Sequence, residues 1–227
     1  MTTLKQTREI AARRAIGERT EALFRASGAI RSGHFVLKSG RHSEAYLEKF
    51  QVLQDPAATS ELCGFWAAEW RGAHGAPAVD LVAGPTTGGL ILAFETGRQL
   101  GTRAIFAEEV ATDDGRRRRE FRRGFVIRPG ERVLLVDDIL TTGGSLLAMI
   151  PAVEAAGGEI VECAVLVDRS GGMGTLTSSA TGRRYPLRAL WQLELDTYDP
   201  GPKTCPRCAA GEPAVKPGSG GTGIGPA

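Results

Sequence analysis

Apolar positions along the 227-residue chain follow two different periods, and their alternation predicts the architecture. Leu4, Ile10, Ala11, Ala15, Ile16, Ala22, Leu23 and Phe24 recur among charged residues, which predicts one or two amphipathic helices ending near Gly28. Good helix formers from Pro56 to Arg71, with Leu62, Phe65, Trp66 and Trp70, predict a further helix. The unbroken apolar run from Val79 to Ala83 predicts a buried strand. GPTTGG, Gly84 to Gly89, then opens a helix through Leu100, and Ala104 to Ala107 predicts a short strand. Beyond a polar, arginine-rich stretch and the turn Arg128-Pro129-Gly130, Val133 to Val136 predicts another buried strand. DDILTTGGS, a helix to about Ala156 and a strand from Ile160 to Val167 complete the pattern. Strands and helices alternating in this way predict an α/β fold, a mainly parallel sheet flanked by helices. Ligands bind such sheets beyond the carboxyl ends of the strands, and the two turns richest in Gly and Thr lie there. From Pro213 onward Gly and Pro dominate without apolar periodicity, so a single domain is expected over 1–212 and a flexible tail over 213–227.

Composition narrows the function classes. With 42% hydrophobic and 24% charged residues the chain has the make-up of a globular protein with room for one full α/β domain. A formal charge of +2 gives no overall attraction to nucleic acid or acidic membranes, so neither is expected as a partner. The charged amino terminus lacks the apolar core of a signal peptide, and stretches such as Leu90 to Phe94 are too short to span a bilayer; a cytoplasmic enzyme is the expectation. Four cysteines are present. Cys205 and Cys208 have C-x-x-C spacing, but one pair lacks the second pair that a structural zinc site needs unless two subunits share it, and no thioredoxin-like context surrounds it. A structural or incidental role is expected for these thiols, and Cys63 and Cys163 read as small core residues.

The run VLLVDDILTTGGS, Val133 to Ser145, carries the chemistry. Gly143 and Gly144 let backbone N–H groups approach an anion, and Thr141, Thr142 and Ser145 add hydroxyl donors. The helix that follows presents unpaired amides and a positive dipole end. These parts make a monophosphate cradle. Asp137 and Asp138, at the end of the strand, are suited to accept hydrogen bonds from vicinal sugar hydroxyls and to orient a hydrated Mg²⁺ without ligating it directly. Helix capping alone would not require both acids, both glycines and three hydroxyls. The run is neither a Walker A loop nor a Rossmann fingerprint, since it lacks GxxxxGK and GxGxxG.

This stretch resembles the phosphoribosyl-pyrophosphate signature of type I phosphoribosyltransferases, and over roughly residues 20 to 218 the chain is similar to the orotate phosphoribosyltransferases among them. The resemblance implies the type I fold with a small hood formed by the N-terminal segment and the C-terminal part. It implies that Asp137, Asp138, Ile139, Leu140, Thr141, Thr142, Gly143, Gly144 and Ser145 bind phosphoribosyl pyrophosphate. SGHFVLKSGRHSEAY, Ser32 to Tyr46, resembles the family's base-site segment, so that Lys38 reaches the bound substrates and Tyr46 and Thr141 border orotate. GPTTGG resembles the pyrophosphate loop, with Thr87 and Gly88 as donors. LVDRSGG, Leu166 to Gly172, has Arg169 where the family uses an arginine on orotate, and a guanidinium matches a carboxylate bidentately. The ending CPRCAAGEPAVKPGS is also seen in part of the family. Implied are transfer of phosphoribose to orotate in pyrimidine synthesis, Mg²⁺ as cofactor, and a homodimer. A phosphoribosyltransferase for another base, or a non-catalytic sensor of phosphoribosyl pyrophosphate, remains the alternative.

The sequence departs from the family in two segments. The mobile catalytic loop usually carries an Arg-Lys run; here FAEEVATDDGRRRREFRRGF, Phe106 to Phe125, has no lysine. Arg116, Arg117, Arg118 and Arg119 are the candidates to clamp pyrophosphate, with a solvated basic surface or an RNA-binding patch as other readings. Gly88 stands where some relatives have lysine.

Overall fold

The computed structural model describes residues 2–72, 75–111 and 117–217. A long helix α1 (Thr2–Ala26) leads into a hairpin of β1 (Ile30–Val36) and β2 (His42–Leu47). A one-turn helix α2 (Phe50–Leu53), helix α3 (Pro56–Glu69), strand β3 (Leu81–Pro85) and helix α4 (Gly88–Leu100) follow. Next come β4 (Arg103–Ala111), β5 (Arg117–Glu120), β6 (Arg132–Leu140), α5 (Gly144–Ala155) and β7 (Glu159–Asp168). Strands β8 (Thr175–Thr177) and β9 (Arg184–Gln192) and a short helix α6 (Pro206–Ala209) end the series.

Seven strands form one sheet in the order β5-β4-β3-β6-β7-β9-β8. The five inner strands run parallel, and β5 and β8 are antiparallel edges. The period of two along the inner strands sorts side chains to opposite faces. Val82, Leu134, Val136, Ala164 and Leu166 join Trp66 of α3 and Leu92 of α4 on one face. Leu81, Ala83, Val133, Leu135 and Val165 join Leu146, Met149 and Ile150 of α5 on the other. Both faces are covered, which is why these strands read as continuous apolar runs.

The expected α/β fold is present. Helix α3 begins at Asp55, whose carboxylate accepts from the Ala57 and Ala58 amides, with Pro56 in the first turn. The amino-terminal pattern forms a single helix ending at Ala26, in which Thr20 and Phe24 are buried, Phe24 lies against Trp191, and Ile10 is exposed. Two boundaries differ from the sequence expectation. Strand β4 extends past Ala107 to Ala111 because β5 pairs with it antiparallel, Glu109 opposite Arg119. The paired ladder overrides the polar composition. Strand β6 continues through both acids to Leu140, since β7 supplies partners as far as Asp168. The acids therefore stand within the strand rather than in a turn.

The hairpin sits apart from the large sheet and is held by the C-terminal segment. Backbone bonds join His42 with Tyr198, the Val36 amide to the Val215 carbonyl, and the Val215 amide to the His34 carbonyl. Arg41 donates to Thr197 and pairs with Asp199, and Arg207 pairs with Glu44. The segment expected to be a flexible tail from Pro213 is thus hydrogen-bonded at Val215; 218–227 lie outside the described residues.

Candidate active site

The carboxyl ends of β3, β6 and β7, the first turn of α5 and the β1–β2 turn converge on two adjoining cavities of about 270 and 620 Å³. Lys38, Asp137, Ile139, Thr141 and Ser145 line both. The smaller one is completed by Thr142, Gly143, Gly144, Arg118 and Arg119, and the larger by Tyr46, Lys49, Thr86, Thr87, Asp138 and Arg169. The four segments singled out from sequence are therefore brought together at one end of the sheet.

Thr141 to Ser145 wrap the start of α5. Gly143 is its N-cap at φ 76°, a left-handed conformation that glycine adopts without strain, and it offers no side chain to occupy the first-turn amides. Those N–H groups border the smaller cavity beside the Thr141, Thr142 and Ser145 hydroxyls, so the expected phosphate cradle has its donors in one place.

Asp137 and Asp138 are both buried, and each accepts a backbone amide, Asp137 Oδ1 from Asp138 at 2.9 Å and Asp138 Oδ1 from Ile139 at 2.7 Å. Burial, then the charge of Asp138, push the Asp137 carboxyl well above the ordinary carboxylate range, with Lys49 and Arg119 opposing. Lys49 Nζ lies 2.7 Å from Asp138 Oδ2. That contact is an ion pair without the alignment of a hydrogen bond, so Oδ2 keeps a lone pair for a further donor. Gly88 is required beside it: a Cβ at that position would overlap the Asp138 carboxylate, so the glycine that departs from the lysine of some relatives also makes room for the acid.

Arg169 follows β7, its amide bonded to the Leu140 carbonyl. Its side chain is largely enclosed near Tyr46; burial lowers its pKa, and Tyr46 opposes that shift. Nε is buried with no hydrogen-bond partner among the described residues. Asp168 accepts from the Ser170 amide and Glu162 pairs with Arg188, so neither acid holds this guanidinium. Burial, then Glu48, raise the Tyr46 hydroxyl, while Lys49 and Arg169 lower it. Lys38 projects from the β1–β2 turn into both cavities.

A profile of the phosphoribosyl transferase domain matches residues 53–181. The orotate phosphoribosyltransferase of Desulforamulus reducens is 43% identical over 197 residues, covering 87% of this chain and 94% of that protein. The enzyme of the same name from Pelotomaculum thermopropionicum is 44% identical over 201 residues, covering 87% and 95%. The chain belongs to the orotate phosphoribosyltransferase family. The crystal structure of orotate phosphoribosyltransferase from Aeropyrum pernix superposes with a TM-score of 0.59 at 27% identity, covering 77% of this chain and 93% of that one.

Within this orotate phosphoribosyltransferase-family chain the four loop arginines separate. Arg116 lies outside the described residues, and Arg117 belongs to β5. Arg118 is exposed and paired with Glu120. Arg119 turns inward: its Nη1 donates to Thr86 Oγ1 at 2.9 Å and to the Thr86 carbonyl at 3.2 Å, with Glu109 at 3.6 Å. Strand alternation sets this difference, which a run of identical residues could not reveal. Lys49 escaped the sequence reading because only the fold carries the start of α2 to the end of β6. The Thr86–Thr87 peptide is cis.

Proposed function

We propose that the protein transfers the phosphoribosyl group of 5-phosphoribosyl 1-pyrophosphate to N1 of orotate, giving orotidine 5-phosphate and pyrophosphate in pyrimidine synthesis. The observation that carries the choice of base is Arg169, a half-buried guanidinium whose buried Nε has no hydrogen-bond partner among the described residues, beside Tyr46 in the cavity that also holds the two acids. A planar carboxylate on the base satisfies that fork, and a base without one leaves it desolvated and unpaired.

In this reading the first turn of α5 with Thr141, Thr142 and Ser145 holds the 5-phosphate, and Asp137 and Asp138 accept the ribose hydroxyls. Thr87 and Arg119 meet the pyrophosphate, while Lys38, Tyr46 and Arg169 orient the base. The acids offer the hard oxygen donors that would suit Mg²⁺ and its water shell, and the ion would supply charge neutralisation for the leaving pyrophosphate. C1 loses pyrophosphate through an oxocarbenium-like transition state as N1 attacks from the opposite face, so the chain needs no nucleophile of its own. Its part is positioning and preorganised charge. The reading includes a cytoplasmic homodimer; among the described residues no helix is long and apolar enough to cross a membrane.

The test is a spectroscopic assay of orotate consumption with phosphoribosyl pyrophosphate and Mg²⁺, run beside adenine, hypoxanthine and uracil. Turnover confined to orotate is the expected result. Turnover of another base alone overturns the assignment of Arg169, and turnover of none, with phosphoribosyl pyrophosphate still bound, makes the protein a sensor.

A further inference from the structure

The β1–β2 hairpin contains His34 and His42, and α6 begins at the Cys205-x-x-Cys208 pair. The fold brings these four side chains together although about 170 residues of sequence separate them, with separations of 171 and 174 residues from His34 to the two cysteines. One ligand atom from each lies within 4.8 Å of all the others. We infer that His34, His42, Cys205 and Cys208 of a single chain form a tetrahedral zinc site that fastens the hairpin to the C-terminal segment. The second pair that the lone C-x-x-C lacked is supplied by histidines rather than cysteines.

Zinc bonds of about 2.3 Å to sulfur and 2.0–2.1 Å to nitrogen, at tetrahedral angles, require S···N separations of about 3.5 Å. The observed values are 3.5 Å from Cys205 Sγ to His34 Nε2, 3.7 Å from Cys208 Sγ to the same nitrogen and 3.3 Å from Cys208 Sγ to His42 Nδ1. The two nitrogens stand 2.7 Å apart, closer than the roughly 3.3 Å that a shared ion imposes, so a small opening of the imidazole pair accompanies binding.

His34 Nδ1 lies 2.7 Å from the Glu212 carbonyl, an acceptor that fixes its proton on Nδ1 and turns the Nε2 lone pair toward the cluster. The His42 backbone is bonded in both directions to Tyr198, so its ring is carried on a fixed rung. Cys205 is 1% exposed, His34 5% and His42 9%, and all four cysteines of the chain are free thiols. Two thiolates offset the charge of one Zn²⁺, which makes an enclosed site electrically neutral, and two sulfurs with two imidazoles in a tetrahedron select zinc over the oxygen-seeking Mg²⁺. All four positions are filled by protein atoms, the arrangement of a structural rather than a catalytic zinc.

Lys38 lies midway between the two histidine ligands, in the turn that projects into the cavities. The zinc is therefore a positioning device for that lysine, a consequence that rests on the proposed function, whereas the site itself does not.

The full-length protein, purified without chelator, should contain one zinc per chain by elemental mass spectrometry. Replacement by Co²⁺ should give the intense visible bands of a four-coordinate ion with thiolate charge transfer. Cys208→Ser and His42→Gln should each weaken zinc at least tenfold in competition with a chromophoric chelator. In the zinc-loaded chain, Cys205 and Cys208 should resist alkylation and become reactive after chelation. Wild-type chain that binds no zinc when it is supplied, a weak six-coordinate cobalt spectrum, or a Cys205–Cys208 disulfide in the native protein overturns the proposal, whether or not any variant folds. Because these readouts involve no turnover, a failed orotate assay leaves them intact.

Discussion

The two halves of the candidate site are built by different means. The phosphate half is continuous in sequence: one strand, two acids, a Gly-Thr turn and a helix start, all within Val133 to Ser145, with positions set by a buried parallel ladder. The base half is assembled from distant segments, with Lys38 and Tyr46 on the hairpin, Arg169 after β7, and the segment of residues 196–215 lashing the hairpin down through side chains and isolated bridges. A local backbone device specifies chemistry that any phosphoribosyl transfer requires. In the proposed function, contacts of long sequence separation specify which base is accepted.

That division is open to direct attack. The largest loss is expected in the phosphate half: Asp137→Asn with Asp138→Asn should fold and lose turnover by roughly a thousandfold, because amides cannot hold hydroxyls and hydrated metal as paired carboxylates do. Near wild-type kcat in the folded double variant would dissolve the distinction between the halves. Arg169→Ala should raise KM for orotate by about ten- to 150-fold, the equivalent of roughly 1.5 to 3 kcal/mol for a lost charge-assisted pair, with phosphoribosyl pyrophosphate little affected. Equal weakening of both substrates would mean that Arg169 supports the whole cavity rather than the base.

How much of this was legible follows the same line. The cradle could be read from residues 133 to 145 because its parts are neighbours in the chain, and the buried strands could be read because both faces of the sheet are covered. The extension of β6 through Asp137 and Asp138 could not, since charged residues look like a strand end unless the partner register with β7 is known. Nor could the pairing of His34 and His42 with Cys205 and Cys208, or of Lys49 with Asp138, where topology alone makes neighbours.

Smaller effects sharpen the comparison at the edge strand. Arg119→Ala should lower kcat roughly ten- to a hundredfold while equilibrium binding of orotidine 5-phosphate, which lacks pyrophosphate, stays nearly constant; Arg118→Ala, removing an exposed pair, should change little. Activity regained on mixing Arg119→Ala with the double Asp variant would mean that the strand serves a neighbouring subunit. Equal losses for Arg118 and Arg119 would contradict the inward turn of Arg119.

The smallest effect is thermal. The Asp137 carboxyl is raised in the folded chain from 3.8 to about 7, so the unfolded chain ionises first and native stability falls as pH rises across that window. Asp137→Asn removes the penalty. Its melting temperature should exceed that of the wild type by an amount that grows between about pH 4 and pH 7 and levels off above, at about 2 to 4 °C for each kcal/mol relieved. A constant difference across pH would show that desolvation and repulsion at this acid are not what the substitution relieves.

The lashing of the hairpin also sets an order of assembly. The Glu212 carbonyl that accepts from His34 is 178 residues downstream, and at about 5 to 20 residues per second a ribosome takes roughly ten to thirty-five seconds to make that stretch. A two-stranded hairpin is marginal alone. During synthesis the phosphate half can close around its sheet while the hairpin waits, so in the proposed function the nascent chain acquires its grip on phosphate before its discrimination among bases.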